Sequence, residues 1–102
     1  MKSFVALFLA AAMLTPMASA AAQVVQPFVR AAIADPQRPA KDAAADALRD
    51  PADTLAFAGV KPGMSIVEMF PGGGYYTRLL SDIVGPKGHV LGIENAGWKG
   101  AV

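Results

Sequence analysis

An α/β fold built around a parallel βαβ unit is predicted by three features of the sequence. "MSIVEM" (64–69) and "HVLGIE" (89–94) have the length and branched content of buried strands. Between them, "YYTRLLSDIV" (75–84) carries Tyr75/Tyr76, Leu79/Leu80 and Ile83/Val84 at the three-to-four spacing of an amphipathic helix, with Thr77, Arg78, Ser81 and Asp82 in the gaps. A triple glycine, Gly72-Gly73-Gly74, joins the first strand to that helix. Strand, loop, helix, turn and strand in this order pair their strands in parallel through a right-handed crossover, as in a doubly wound sheet.

The elements can be justified from the amino terminus onward. Lys2 precedes an uncharged apolar run from Phe4 to Leu14, and "TPMASA" follows, with Ala18-Ser19-Ala20 in a small-x-small pattern. Together these predict a secretory signal over residues 1–20, cleaved after Ala20, and an exported protein, periplasmic or secreted. The run is shorter than the roughly 20 residues a spanning helix needs, so no stable membrane span is expected after cleavage. Residues 21–39, punctuated by Gln23, Gln26, Pro27 and Pro36, read as a leader or linker of little intrinsic order. Residues 40–102 carry the domain. "AKDAAADALRD" (40–50) reads as a helix with Ala43, Ala44, Ala47 and Leu48 along one side. A second helix follows, with Asp50 as a candidate cap, Pro51 at the first helical position and Gly59 at the stop. Lys61-Pro62-Gly63 turns the chain into the first strand, Gly85-Pro86 ends the central helix, and "PKG" turns into the second strand. Val67, Leu79, Leu80, Ile83, Leu91 and Ile93 are the expected contacts of the unit.

Composition excludes several function classes. The chain has 102 residues with nine basic and eight acidic side chains. Loss of residues 1–20 leaves 82 residues and, without Lys2, eight basic against eight acidic. A neutral chain makes no electrostatic bid for nucleic acid or anionic lipid. It has no cysteine, hence no disulfide and no thiolate metal site, and its single histidine, His89, cannot anchor a metal alone. No metal site is expected.

The glycine loop leaves the carboxyl end of the first strand and enters the amino end of the helix, where open parallel sheets bind ligands. Glycines admit sharp turns and close approach to the backbone, and the helix end presents unpaired N–H groups to anionic oxygen. Glu68 lies at the tip of the first strand and Glu94 at the end of the second, 22 residues after Gly72. A carboxylate at that place can accept both hydroxyls of a ribose, which suits a nucleotide-type cofactor. In a G-x-G-x-x-G/A dinucleotide fingerprint, Thr77 stands where a third small residue belongs, which disfavours nicotinamide or flavin.

A strand-end acid just before such a loop resembles motif I, E/D-x-G-x-G-x-G, of the class I S-adenosylmethionine-dependent methyltransferases. The stretch "RDPADTLAFAGVKPGMSIVEMFPGGGYYTRLLSDIVGPKGHVLGIEN" is similar to a bacterial group of exported predicted methyltransferases, over about residues 49–95. The resemblance implies a Rossmann-like fold with S-adenosylmethionine as cofactor. By position, Glu68 matches the acid that helps place the methionine end. Gly72 and Gly74 match the second and third glycines, with Gly73 between them, and Glu94 matches the ribose-binding acid. Phe70, followed by Pro71, stands in place of the first glycine.

The sequence ends soon after the second strand, and the expectation is an amino-terminal portion of about one βαβ unit plus the helices before it. The acceptor and the catalytic residues would belong to the remainder, and this stretch alone should bind cofactor weakly and catalyse little. Two other readings stand beside this one: a fragment of a dinucleotide-binding oxidoreductase, and a non-enzymatic exported interaction module.

Overall fold

A computed structural model describes residues 24–98; the signal expected over 1–20 lies outside the described residues. Among the described residues four helices come in the order α1 (Pro27–Ile33), α2 (Ala40–Arg49), α3 (Pro51–Ala58) and α4 (Tyr75–Val84). Strand β1 (Ser65–Met69) precedes α4 and β2 (His89–Ile93) follows it, and a short 3₁₀ turn spans Ala96–Trp98. The strands pair in parallel, Ser65 opposite His89 through Met69 opposite Ile93. This is the expected βαβ unit, with α4 bounded as its periodicity predicts.

The core forms where α4 lays its apolar stripe down. Leu79, Leu80, Ile83 and Val84 are buried with Tyr75, and Val29 and Ala32 of α1, Leu55 of α3 and Val60 complete the cluster. Ile66 and Val90, paired on the inner face of the sheet, pack against it. The turns are stitched to the ends of the unit: the Gly63 N–H donates to Val84 O at 2.8 Å and the His89 N–H to Met64 O at 3.0 Å. Gly88 is required there, because a Cβ would fall 2.7 Å from Met64 O and 2.8 Å from Val84 Cγ2.

Four expectations are corrected. Residues 21–39 are not simply a leader: Pro27–Ile33 is a helix, with Pro27 in its first turn, and Val29 is among the most deeply buried side chains. On α2 the face is inverted. Ala43, Ala44, Ala47 and Leu48 are exposed, Leu48 at 93%, and the helix turns Asp42 and Asp46 inward. Alanine buries too little area to fix a helix's rotation against bidentate ion pairs. Asp50 does not cap α3 with its side chain; it joins α2 to α3 in a left-handed conformation, φ 44°, and its carbonyl instead accepts from the Thr54 hydroxyl. Finally, Val67, Leu91 and Ile93 are exposed rather than packed. Strand side chains alternate between faces, and among the described residues the helices cover only one of them.

Candidate functional site

The chain leaves β1 at Met69 and takes a left-handed φ at every second residue: 57° at Phe70, 56° at Gly72 and 81° at Gly74. The alternation falls on the three glycine positions of an E/D-x-G-x-G-x-G loop. Phe70 therefore adopts the backbone of the glycine it replaces, at a cost of about 1–2 kcal/mol for an L-residue. Its N–H donates to Ile93 O at 2.8 Å, which ties the start of the loop to the end of β2. The Gly74 N–H closes the turn on Pro71 O at 3.0 Å, and the Gly74 carbonyl accepts the first bond of α4 from Arg78 at 3.0 Å.

The two strand-end acids flank this loop. Glu68 accepts from the Thr77 hydroxyl through Oε2 at 2.6 Å, so α4 fixes the carboxylate beneath the loop. Glu94 reaches back across 22 residues, and its Oε1 accepts from the Gly72 N–H at 2.7 Å. Glu68, Gly72 and Gly73 line a cleft of about 570 Å³ shared with Lys41, Arg49 and Arg78. Gly72 and Glu94 line a second hollow of about 350 Å³ with Phe70 and Asn95. Gly74 opens into neither; it is buried beneath Arg78. A Cβ at Gly72 or Gly73 would meet nothing within 4 Å, so the backbone of the loop is bare to an approaching ligand.

Helix α2 forms the opposite wall and is held by charge. Arg78 grips Asp42 with Nε at 2.6 Å from Oδ2 and Nη2 at 2.8 Å from Oδ1. Arg38 grips Asp46 with Nη1 and Nη2, each at 2.8 Å, and also donates to Ile33 O. The Tyr75 hydroxyl donates to Asp46 Oδ1, and the Tyr76 hydroxyl to Arg49 O at 2.9 Å. These bonds set the titration of the cluster. The Arg38 guanidinium, with the Tyr75 hydroxyl, holds the Asp46 carboxyl down at about 2. Burial, then the neighbouring Asp46, pushes the Tyr75 phenol up to about 12. Arg78 holds Asp42 below the usual carboxylate range. Arg49 stacks its guanidinium over the Tyr75 ring at 4.7 Å.

The contribution of α2 is what sequence reasoning missed. Lys41, Asp42 and Arg49 of α2 line the cleft with Arg78 of α4, and none of them is a site residue on sequence grounds. A signal was present. Asp42, Asp46 and Arg49 share a helical stripe at four- and three-residue spacing. Arg78, four residues after Gly74, lies on a helix whose side chains lean toward the amino terminus and hence the loop.

A parallel βαβ unit with a glycine loop at its carboxyl edge and an acid at the end of each strand is an arrangement that nucleotide-cofactor proteins of the Rossmann-like class share, the class I S-adenosylmethionine-dependent methyltransferases among them. The family model for protein-L-isoaspartate(D-aspartate) O-methyltransferase (PCMT) matches residues 13–97, and the chain belongs to that family. The methyl donor of these enzymes is S-adenosylmethionine. The residues here fit such a group, since the bare loop backbone and the two flanking carboxylates answer its nucleoside and amino-acid ends. No solved structure matches the chain.

Proposed function

We propose that this βαβ unit is the cofactor-holding wall of an exported methyltransferase, with Glu68, Gly72, Gly73 and Glu94 as its S-adenosylmethionine contacts and Gly74 as the buried turn that leads the loop into α4. The observation that carries the proposal is the bond between Glu94 Oε1 and the Gly72 N–H. It draws the acid at the end of β2 against the loop, and Oε2, without a partner among the described residues, can accept from a ribose hydroxyl. Glu68, braced by Thr77, offers its other oxygen to the ammonium of the amino-acid end. Bound S-adenosylmethionine would supply an electrophilic methyl group, and the protein's part is alignment of that group with the acceptor. The family description points to a carboxylate acceptor of the isoaspartyl type. The exposed cations Lys41 and Arg49, on the α2 side of the cleft, suit an anionic acceptor of that kind.

Glu94→Ala tests the site. Bonds to a charged acceptor contribute roughly 1.5–3 kcal/mol, so affinity for S-adenosylmethionine in the intact protein should fall on the order of 10- to 100-fold by calorimetry. An unchanged isotherm would remove Glu94 from the site.

A further inference from the structure

We infer that Arg78 is the counter-ion for the carboxylate of the cofactor's amino-acid end, and that Asp42 is the positioning residue that aims it. The inference rests on the reading of the glycine loop as an S-adenosylmethionine site.

It begins from an oddity of α2. This helix leaves Ala43, Ala44, Ala47 and Leu48 in solvent and fully buries one residue, Asp42, at 3% exposure. A buried carboxylate is costly unless it is paired and hydrogen-bonded. Here both of its oxygens are spent on Arg78. Such a fork fixes the plane of the guanidinium, which a single contact would not.

What the fork leaves over is Nη1. It makes no hydrogen bond among the described residues, and it lies against the glycine loop, 2.8 Å from the place a Cβ on Gly74 would occupy. The arginine side chain is 37% exposed and lines the cleft together with Glu68, Gly72 and Gly73. Arg78 also borders a smaller hollow with Thr77, Ser81 and Asp82; on the cleft side its guanidinium, held in plane by the fork, stands with the braced carboxylate of Glu68. That pair is complementary to a zwitterion. S-adenosylmethionine carries an α-ammonium and an α-carboxylate at the end opposite its nucleoside; Glu68 answers the first and Arg78 the second. Lys41 and Arg49 share the cleft, but neither is held by a carboxylate fork among the described residues; Arg49 rests on the Tyr75 ring instead.

The test compares two ligands in the intact protein by calorimetry. S-adenosylhomocysteine has the amino-acid end, and 5′-methylthioadenosine keeps the nucleoside and lacks that end. Arg78→Met should weaken S-adenosylhomocysteine on the order of 10- to 100-fold, the loss of a charge-assisted bond, and leave 5′-methylthioadenosine unchanged. Asp42→Asn should shift the same ligand alone, by less. Arg78→Lys keeps the charge without the fork and should restore part of the loss; it also provides the reading if Arg78→Met does not fold. Glu94→Ala should weaken both ligands. Equal weakening of both by Arg78→Met or Arg78→Lys, or no weakening of either, overturns the assignment while leaving the cofactor reading intact. Failure of the unaltered protein to bind either ligand overturns the cofactor reading, and the role of Arg78 falls with it.

Discussion

Replacing each glycine of the loop by alanine should give a graded series whose order follows from the backbone. Gly73 has no left-handed φ and open space around its Cα, so Gly73→Ala should change stability by less than about 1 kcal/mol. Gly72 has φ 56° and open space; Gly72→Ala incurs only the left-handed backbone cost, about 1–2 kcal/mol. Gly74 has φ 81°, and its new Cβ would stand 2.8 Å from Arg78 Nη1. The arginine must then withdraw, loosening its grip on the buried Asp42. Weakening charge-assisted bonds adds to the backbone cost, for a total of roughly 2–4 kcal/mol. In a domain of this size each kcal/mol moves the melting temperature by about 4–8 °C, so Gly74→Ala should lower it by roughly 8–32 °C. Urea and thermal denaturation would read the series. In an Arg78→Met background the extra cost at Gly74 should shrink to that at Gly72. Equal costs at all three positions, or a Gly72→Ala more damaging than Gly74→Ala, would refute the reasoning.

Other consequences follow from the same geometry. Phe70→Gly relieves a left-handed φ of 57° and should leave stability unchanged or raise it by up to about 1 kcal/mol in a urea melt; a clear loss would show that the exposed ring contributes packing. Asp46, held at about 2 by Arg38, contributes stability that is complete above its ordinary 3.8 and is lost as pH falls through about 2. Melting temperature should therefore fall on acidification through that window, and the fall should be smaller in Asp46→Asn. Mass spectrometry of exported material should find Ala21 at the amino terminus; an intact Met1 on cytoplasmic protein would contradict the proposed export.

The βαβ unit was legible because its signals are local. Leu79, Leu80, Ile83 and Val84 repeat at helical spacing and are buried where that spacing puts them, and Gly85 stops the helix with a φ of 66°. The strand-end acids were legible as positions, though the Glu94 bond to Gly72 is a contact across 22 residues that no local pattern encodes. The rest was hidden for identifiable reasons. Helix α1 begins at a proline that also punctuates a linker, and its burial of Val29 depends on α3 and α4. The rotation of α2 is set by Arg38 and Arg78, eight and 36 residues from their partners, and the alanine stripe pointed the other way. Val67, Leu91 and Ile93 read as core because a buried strand of a doubly wound sheet is apolar on both faces; their face has no cover among the described residues.

The most direct test is a calorimetric titration of the intact, unaltered protein with S-adenosylmethionine, repeated with NAD as the competing ligand. Saturable one-to-one binding of S-adenosylmethionine that NAD does not displace is the predicted result. Tight binding of NAD without binding of S-adenosylmethionine would contradict the assignment of the glycine loop.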